Sequence, residues 1–197
     1  DLELNYSVYS YFKNLPHDAG GVYNPQSYGN FATPGETYII EISNKLNDLA
    51  TNNGYVTDLE IAEFVYAFVG DIQYLLDIEG SGESDYPKYP IEMLWEASGD
   101  CEDAAILYIS LIEALGYDAL IVTGLVKQSE DEDWGGHAWA AVHIPGEDNL
   151  GTYWYGEAEK SNLKFYFVEA TAYWDGTSSI GRNPWYDLKD ESYYDVE

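Results

Sequence analysis

Gly99-Asp100-Cys101-Glu102-Asp103 is the stretch from which the rest of the chain is read. It holds the only cysteine and sits where a helix should begin. Asp100 can cap a helix through its side-chain oxygen, and Asp103, three residues on, matches the reciprocal partner of a capping box. Ala104, Ala105, Leu107, Tyr108, Leu111, Ile112 and Leu115 then recur at helical spacing, and Gly116 suits a left-handed cap. Cys101 therefore falls in the first turn, where free N–H groups and the helix macrodipole favour a thiolate. A lone cysteine needs a base, and Gly135-Gly136-His137-Ala138-Trp139 offers one. It opens an alternating segment, His137–Ile144, whose even members suit a core. His143 shares the side of His137, but six residues at ~3.3 Å set the two ~20 Å apart. Only His137, after two glycines, is expected at a cleft. A carboxylate to orient the base is available in Phe167-Val168-Glu169-Ala170-Thr171, where Phe167, Glu169 and Thr171 share a strand face. A glutamate there is costly to bury without a partner, and a histidine on a neighbouring strand supplies one.

Length and composition bound the answer. At 197 residues the chain fits one domain with a decorated N-terminal arm, and 46% apolar residues suffice for a sizeable core. The 36 acidic residues outnumber the 8 basic ones. That balance excludes nucleic-acid binding, which needs clustered Lys and Arg, and docking on anionic lipid. It permits life in high salt, surface divalent cations, or basic substrates. One cysteine forms no internal disulfide. With no run of 18 apolar residues and no signal peptide, no membrane insertion is expected. The start at Asp reads as a mature or trimmed product, and an acidic, Tyr-rich, Lys-poor chain as extracellular or cell-surface.

Taken in order, residues 1–56 read as an N-terminal arm, with turns at His17–Gly21 and Asn24–Ser27, then a strand (Thr37–Ser43) and a short helix (Asn44–Ala50) packed on the core. Residues 57–175 read as the core. Thr57-Asp58-Leu59-Glu60 is a capping box that opens an amphipathic helix with the stripe Ile61, Phe64, Val65, Phe68, Val69, Ile72, Leu75 and Leu76. A loop follows, then a helical turn from Pro90 that carries Trp95. Ala119–Val126 reads as a buried strand, and Thr152–Tyr155 and Lys164–Ala170 as two more. Ser129–Asp133 is an acidic loop in which Asp131 and Asp133 are calcium candidates, although the spacing is not that of an EF-hand. Residues 176–197 read as a tail. The fold class is α+β, a helix packed on a small antiparallel sheet.

Gly-Asp-Cys-Glu-Asp at a helix start, Leu115-Gly116-Tyr117-Asp118-Ala119 at its end, then Gly-His-Ala-Trp and a strand ending Glu-Ala-Thr, together resemble the transglutaminase-like cysteine enzymes over roughly Thr57 to Thr171. The resemblance implies a papain-like core and a triad of Cys101, His137 and Glu169, the last standing where the family usually has Asp. It implies acyl transfer on peptide or carboxamide substrates through a thioester, with water or an amine as acceptor and no cofactor. Hydrolysis by a peptidase or amidase is the favoured form. Trp95 and Trp139 are candidates for lining the site or donating to the oxyanion. Two alternatives stay open: a non-catalytic cell-surface binding module with a degenerate site, and a structural subunit. Glu102 and Asp103 flank the nucleophile. Like charges there raise a thiol pKa, so both are expected to support the helix terminus.

Overall fold

The computed structural model describes residues 4–18, 24–171 and 179–196. The Ala19–Gly21 part of the N-terminal turn and residues 172–178 lie outside them. In chain order the elements are α1 (Tyr6–Lys13), α2 (Pro25–Gly29), α3 (Thr37–Asn52), α4 (Asp58–Gly70), β1 (Gln73–Tyr74), α5 (Asp77–Gly80), α6 (Pro90–Glu96), β2 (Ser98–Gly99) and α7 (Cys101–Ala114). Then come β3 (Ala119–Lys127), β4 (Gly135–Val142), β5 (Tyr153–Tyr155), β6 (Lys164–Val168) and β7 (Asp187–Asp195). The main sheet runs β5-β6-β4-β3-β7, every neighbour antiparallel. Among the described residues no helix is long and apolar enough to cross a membrane.

α7 is the hub. Every side chain from Cys101 to Ile112 is buried, so the helix is sheathed all round, by α3, α4 and α6 on one side and by β3 and β4 on the other. Gly116 ends it with φ +90°, the left-handed cap expected there. The sheet buries both faces. Ile121, Ala140, Val142 and Val168 face the helices. Leu120, Val122, Trp139, Ala141, Phe165 and Phe167 form a second core with Trp154, Trp185 and Tyr193.

The strand expected over Thr37–Ser43 is instead the first half of α3. Its β-branched residues suggest a strand, but Ile39, Ile42, Leu46 and Ala50 bury one helical stripe. Glu36 caps it, its carboxylate accepting from the backbone N–H of Tyr38 (2.6 Å) and Ile39 (3.3 Å). α4 starts with the capping box at Thr57 and Glu60 but stops at Gly70. Leu75 and Leu76 are therefore not on its stripe, and Leu76 is exposed. The 176–197 segment carries β7, which covers the outer edge of β3.

Candidate active site

The approach to Cys101 is built from backbone. α6 ends in a left-handed Ala97 (φ 52°), and Ser98–Gly99 pairs parallel with Gln73–Tyr74. Leu75 N–H donates to Gly99 O (2.9 Å), tying the strands together just before the turn into α7. Asp103 folds back over this turn. Its carboxylate accepts from the backbone N–H of Asp100 (3.3 Å) and Lys88 (2.6 Å), with Lys88 Nζ 3.7 Å away. Gly99 has to be glycine, because a Cβ would lie 2.7 Å from Asp103 Cβ. Asp103 is thus the structural support expected of it, and Cys101 is fixed in the first turn.

β4 and β6 bring the other two residues together. They pair from Ala140↔Val168 onward, which leaves His137 near the start of β4 and Glu169 just past the end of β6. His137 Nε2 meets both carboxylate oxygens of Glu169, at 2.9 and 3.1 Å. Two further donors fix the carboxylate: Thr171 Oγ1 to Oε1 (2.7 Å) and Trp185 Nε1 to Oε2 (2.9 Å). Burial pushes the Glu169 carboxyl up, but His137, Thr171 and Trp185 outweigh it and hold it below its ordinary range. Nε2 is occupied by Glu169, which leaves Nδ1 as the ring nitrogen available to a thiol.

Cys101 and His137 line one cavity of about 200 Å³, with Tyr28, Tyr74, Asp77, Asp85, Asp100 and Glu102 around them. A groove of about 480 Å³ shares Tyr74, Gly136 and His137 with it and continues along Gln128, Glu132, Asp133 and Trp185. Cys101 therefore lines one of two depressions that share Tyr74, Gly136 and His137 as a common wall. A larger cavity of about 890 Å³ between α3 and α4 is lined by Leu46, Phe64, Phe68 and their neighbours and carries no cysteine or histidine.

Carboxylates dominate the Cys101 end. Asp77, Asp100 and Asp103 bring oxygens within 4.8 Å of one another, and so do Asp77, Asp85 and Glu102. Burial, with Asp100 beside it, pushes Glu102 up to about 11 and Asp77 up to about 6. Burial also raises the Cys101 thiol well above its ordinary value, with Glu102 and Asp100 adding to it and the Ala138 backbone N–H opposing. The thiol donates to Glu102 Oε2 (3.2 Å). The helix N-terminus alone thus does not make a thiolate here, because burial and two acids outweigh it. Asp100 Oδ1 is buried with no hydrogen-bond partner among the described residues. Converging hard oxygens, one of them unsatisfied, fit a calcium-like cation. Asp131 and Asp133 do not form such a group. Asp131 lies on an exposed turn, and Asp133 lines the larger groove.

The two tryptophans expected at the site are elsewhere. Trp95 stacks on Tyr9 (5.1 Å, 14°) on the α1–α6 surface. Trp139 is fully buried behind His137 (5.9 Å, 26°), its indole N–H without a partner among the described residues. Neither lines the Cys101 cavity. His143 Nδ1 meets Lys164 O (3.0 Å), and His17 pairs with Glu92 (2.7 Å). Sequence reasoning missed Tyr74, Asp77, Asp85 and Trp185. Tyr74 lies in the two-residue β1, Asp77 opens the single-turn α5, Asp85 lies in the loop before α6, and Trp185 in a Tyr- and Trp-rich tail, with no periodicity to mark them.

The sequence model of the transglutaminase-like superfamily matches residues 47–155, just over half of the chain. No curated protein sequence matches it. Among solved structures, a candidate cysteine protease from Cytophaga hutchinsonii aligns over 100% of this chain and 61% of its own length, at 16% identity and a TM-score of 0.43. The chain thus spans under two thirds of that protein. Legionella pneumophila LapG in calcium-bound form aligns over 70% of this chain and 80% of its own, at 18% identity and a TM-score of 0.39. By its match to the superfamily model, the chain belongs to the transglutaminase-like superfamily.

Proposed function

We propose that the protein is a cysteine-dependent acyl-transfer enzyme that hydrolyses internal peptide bonds, with Cys101 as nucleophile, His137 as base and Glu169 as its orienting acid. The carrying observation is the His137–Glu169 contact at 2.9 Å beside the cavity that holds Cys101. The carboxylate keeps the proton on Nε2, so Nδ1 can accept the thiol proton. The thiolate attacks the carbonyl carbon. The oxyanion is held by the Cys101 backbone N–H together with a second donor. His137 then protonates the departing amine, leaving a thioester. Water, deprotonated by His137, attacks the thioester and releases the acid. The two depressions that share His137 suit an extended chain that continues past the scissile bond.

The acids around Cys101 must be neutralised before its thiol can ionise. Asp77, Asp85, Asp100 and Glu102 would hold a divalent cation, which supplies that positive charge. The test is the rate of Cys101 alkylation by iodoacetamide between about pH 4 and 10, with calcium and with chelator, in wild type and His137→Ala. The reading expects a calcium-loaded thiol that reacts below the ordinary ~8.5 and loses this advantage without His137. Identical curves for the two proteins would overturn it in favour of a non-catalytic binding module. Mass analysis of peptides incubated with an added primary amine then separates hydrolysis from transamidation.

A further inference from the structure

We propose that Trp185 is a positioning residue for the His137–Glu169 pair, acting through the carboxylate with its indole N–H; this rests on the triad reading above. Its Nε1 donates to Glu169 Oε2 at 2.9 Å, the oxygen that also holds His137 Nε2 at 2.9 Å. Its ring stands edge-on to the imidazole, centroids 4.8 Å apart at 66°. The same side chain lines the groove at His137, so it covers the His137–Glu169 contact on that side.

The glutamate makes such a donor necessary. Glutamate has one more rotatable bond than aspartate, so a carboxylate at 169 has more freedom to swing away from the imidazole. Thr171 on Oε1 and Trp185 on Oε2 pin one oxygen each, and His137 Nε2 lies within hydrogen-bond distance of both. Trp185 is itself anchored. Its backbone N–H donates to Asn183 Oδ1 (2.9 Å), and the next residue, Tyr186, donates to Lys127 O (2.8 Å) at the end of β3. The indole is therefore held by the sheet edge rather than by the groove it faces.

Trp185→Phe keeps an aromatic ring at the position and removes the donor, whereas Trp185→Ala removes both. The Glu169 carboxyl, followed by carbon-13 NMR in glutamate-labelled protein, should titrate about 1 unit higher in the Phe variant, the share of a single hydrogen bond to a charged group. Alkylation of the calcium-loaded Phe variant at pH 7 should slow about tenfold. A role in packing alone predicts a Phe variant equal to wild type and an impaired Ala variant, and that result overturns the proposal. If the variants fail to fold, the wild type decides. Its Trp185 indole N–H resonance should shift with the Glu169 titration and lose that dependence in Glu169→Gln. An indole signal indifferent to that titration overturns the proposal. Equal alkylation of wild type and His137→Ala would instead sink the triad reading itself, so the two failures are distinct.

Discussion

Burial alone would make Glu169 take up a proton, and His137 with two neutral donors prevents it. A carboxyl whose folded pKa is lowered contributes stability above its unfolded value, near 4.5, and loses it as pH falls through the lower folded one. Urea denaturation of wild type and Glu169→Gln should therefore differ most near neutral pH, with the gap closing below about pH 4. The acids beside Cys101 carry the opposite sign. Asp77 and Glu102, raised to about 6 and about 11, contribute when protonated and cost stability as pH rises through those values. Chelated protein should lose stability between about pH 4 and 8 in the same urea experiment. Asp100→Asn should flatten that loss, and calcium should reverse it. A chelated protein that gains stability over this range would refute the cluster account. Cys101, His137 and Glu169 of the candidate site were legible as candidates because each stands in a short motif at an element boundary. Asp77 and Asp85 were not, because carboxylates in the short segments between α4 and α6 read as solvated until the fold turns them toward Cys101.

Elements were legible where local chemistry and tertiary packing agree. α7 and α4 each combine a capping box with a 3.6-residue stripe, and both stand where expected, though α4 ends sooner. Thr57→Ala should cost about 1 kcal/mol, read as a shift of the urea midpoint at unchanged slope. α3 was misread because Thr37, Ile39, Ile40 and Ile42 favour strands locally, and only burial against α4 and α7 with a Glu36 cap overrides that preference. β7 escaped notice for another reason. An edge strand tolerates exposed charge on its outer side, and Asp187, Asp190 and Glu191 hide its alternation. Between them lies a sensitive point at Gly124, where the β3–β7 register shifts. A Cβ there would come within 2.8 Å of the Trp139 ring and 3.2 Å of Lys189 O. Gly124→Ala should cost about 1–3 kcal/mol in thermal or chemical denaturation. It should also slow Cys101 alkylation, since the displaced indole is the one stacked behind His137.

At the scale of the whole molecule, charge is the dominant feature. A net charge of −28 concentrates repulsion on a surface with few cations to relieve it. Three of those cations pair locally with carboxylates: Lys13 with Glu92 and Glu96, Lys88 with Glu96 and Asp103, Lys160 with Asp118 and Asp195. Sodium chloride raised from about 0.01 to 0.5 M should lift the melting temperature by several degrees, because the Debye length falls from ~30 Å to a few ångströms. A melting temperature unmoved by salt would mean that repulsion does not limit stability. The way β7 closes the sheet beside β3 also has a consequence in time. Cys101, His137 and Glu169 all precede Trp185 and β7 in the chain. A chain still growing on the ribosome would hold these three residues without the indole that donates to Glu169 or the strand that follows it. On that view the His137–Glu169 arrangement is completed only once β7 seals the edge of the sheet beside β3.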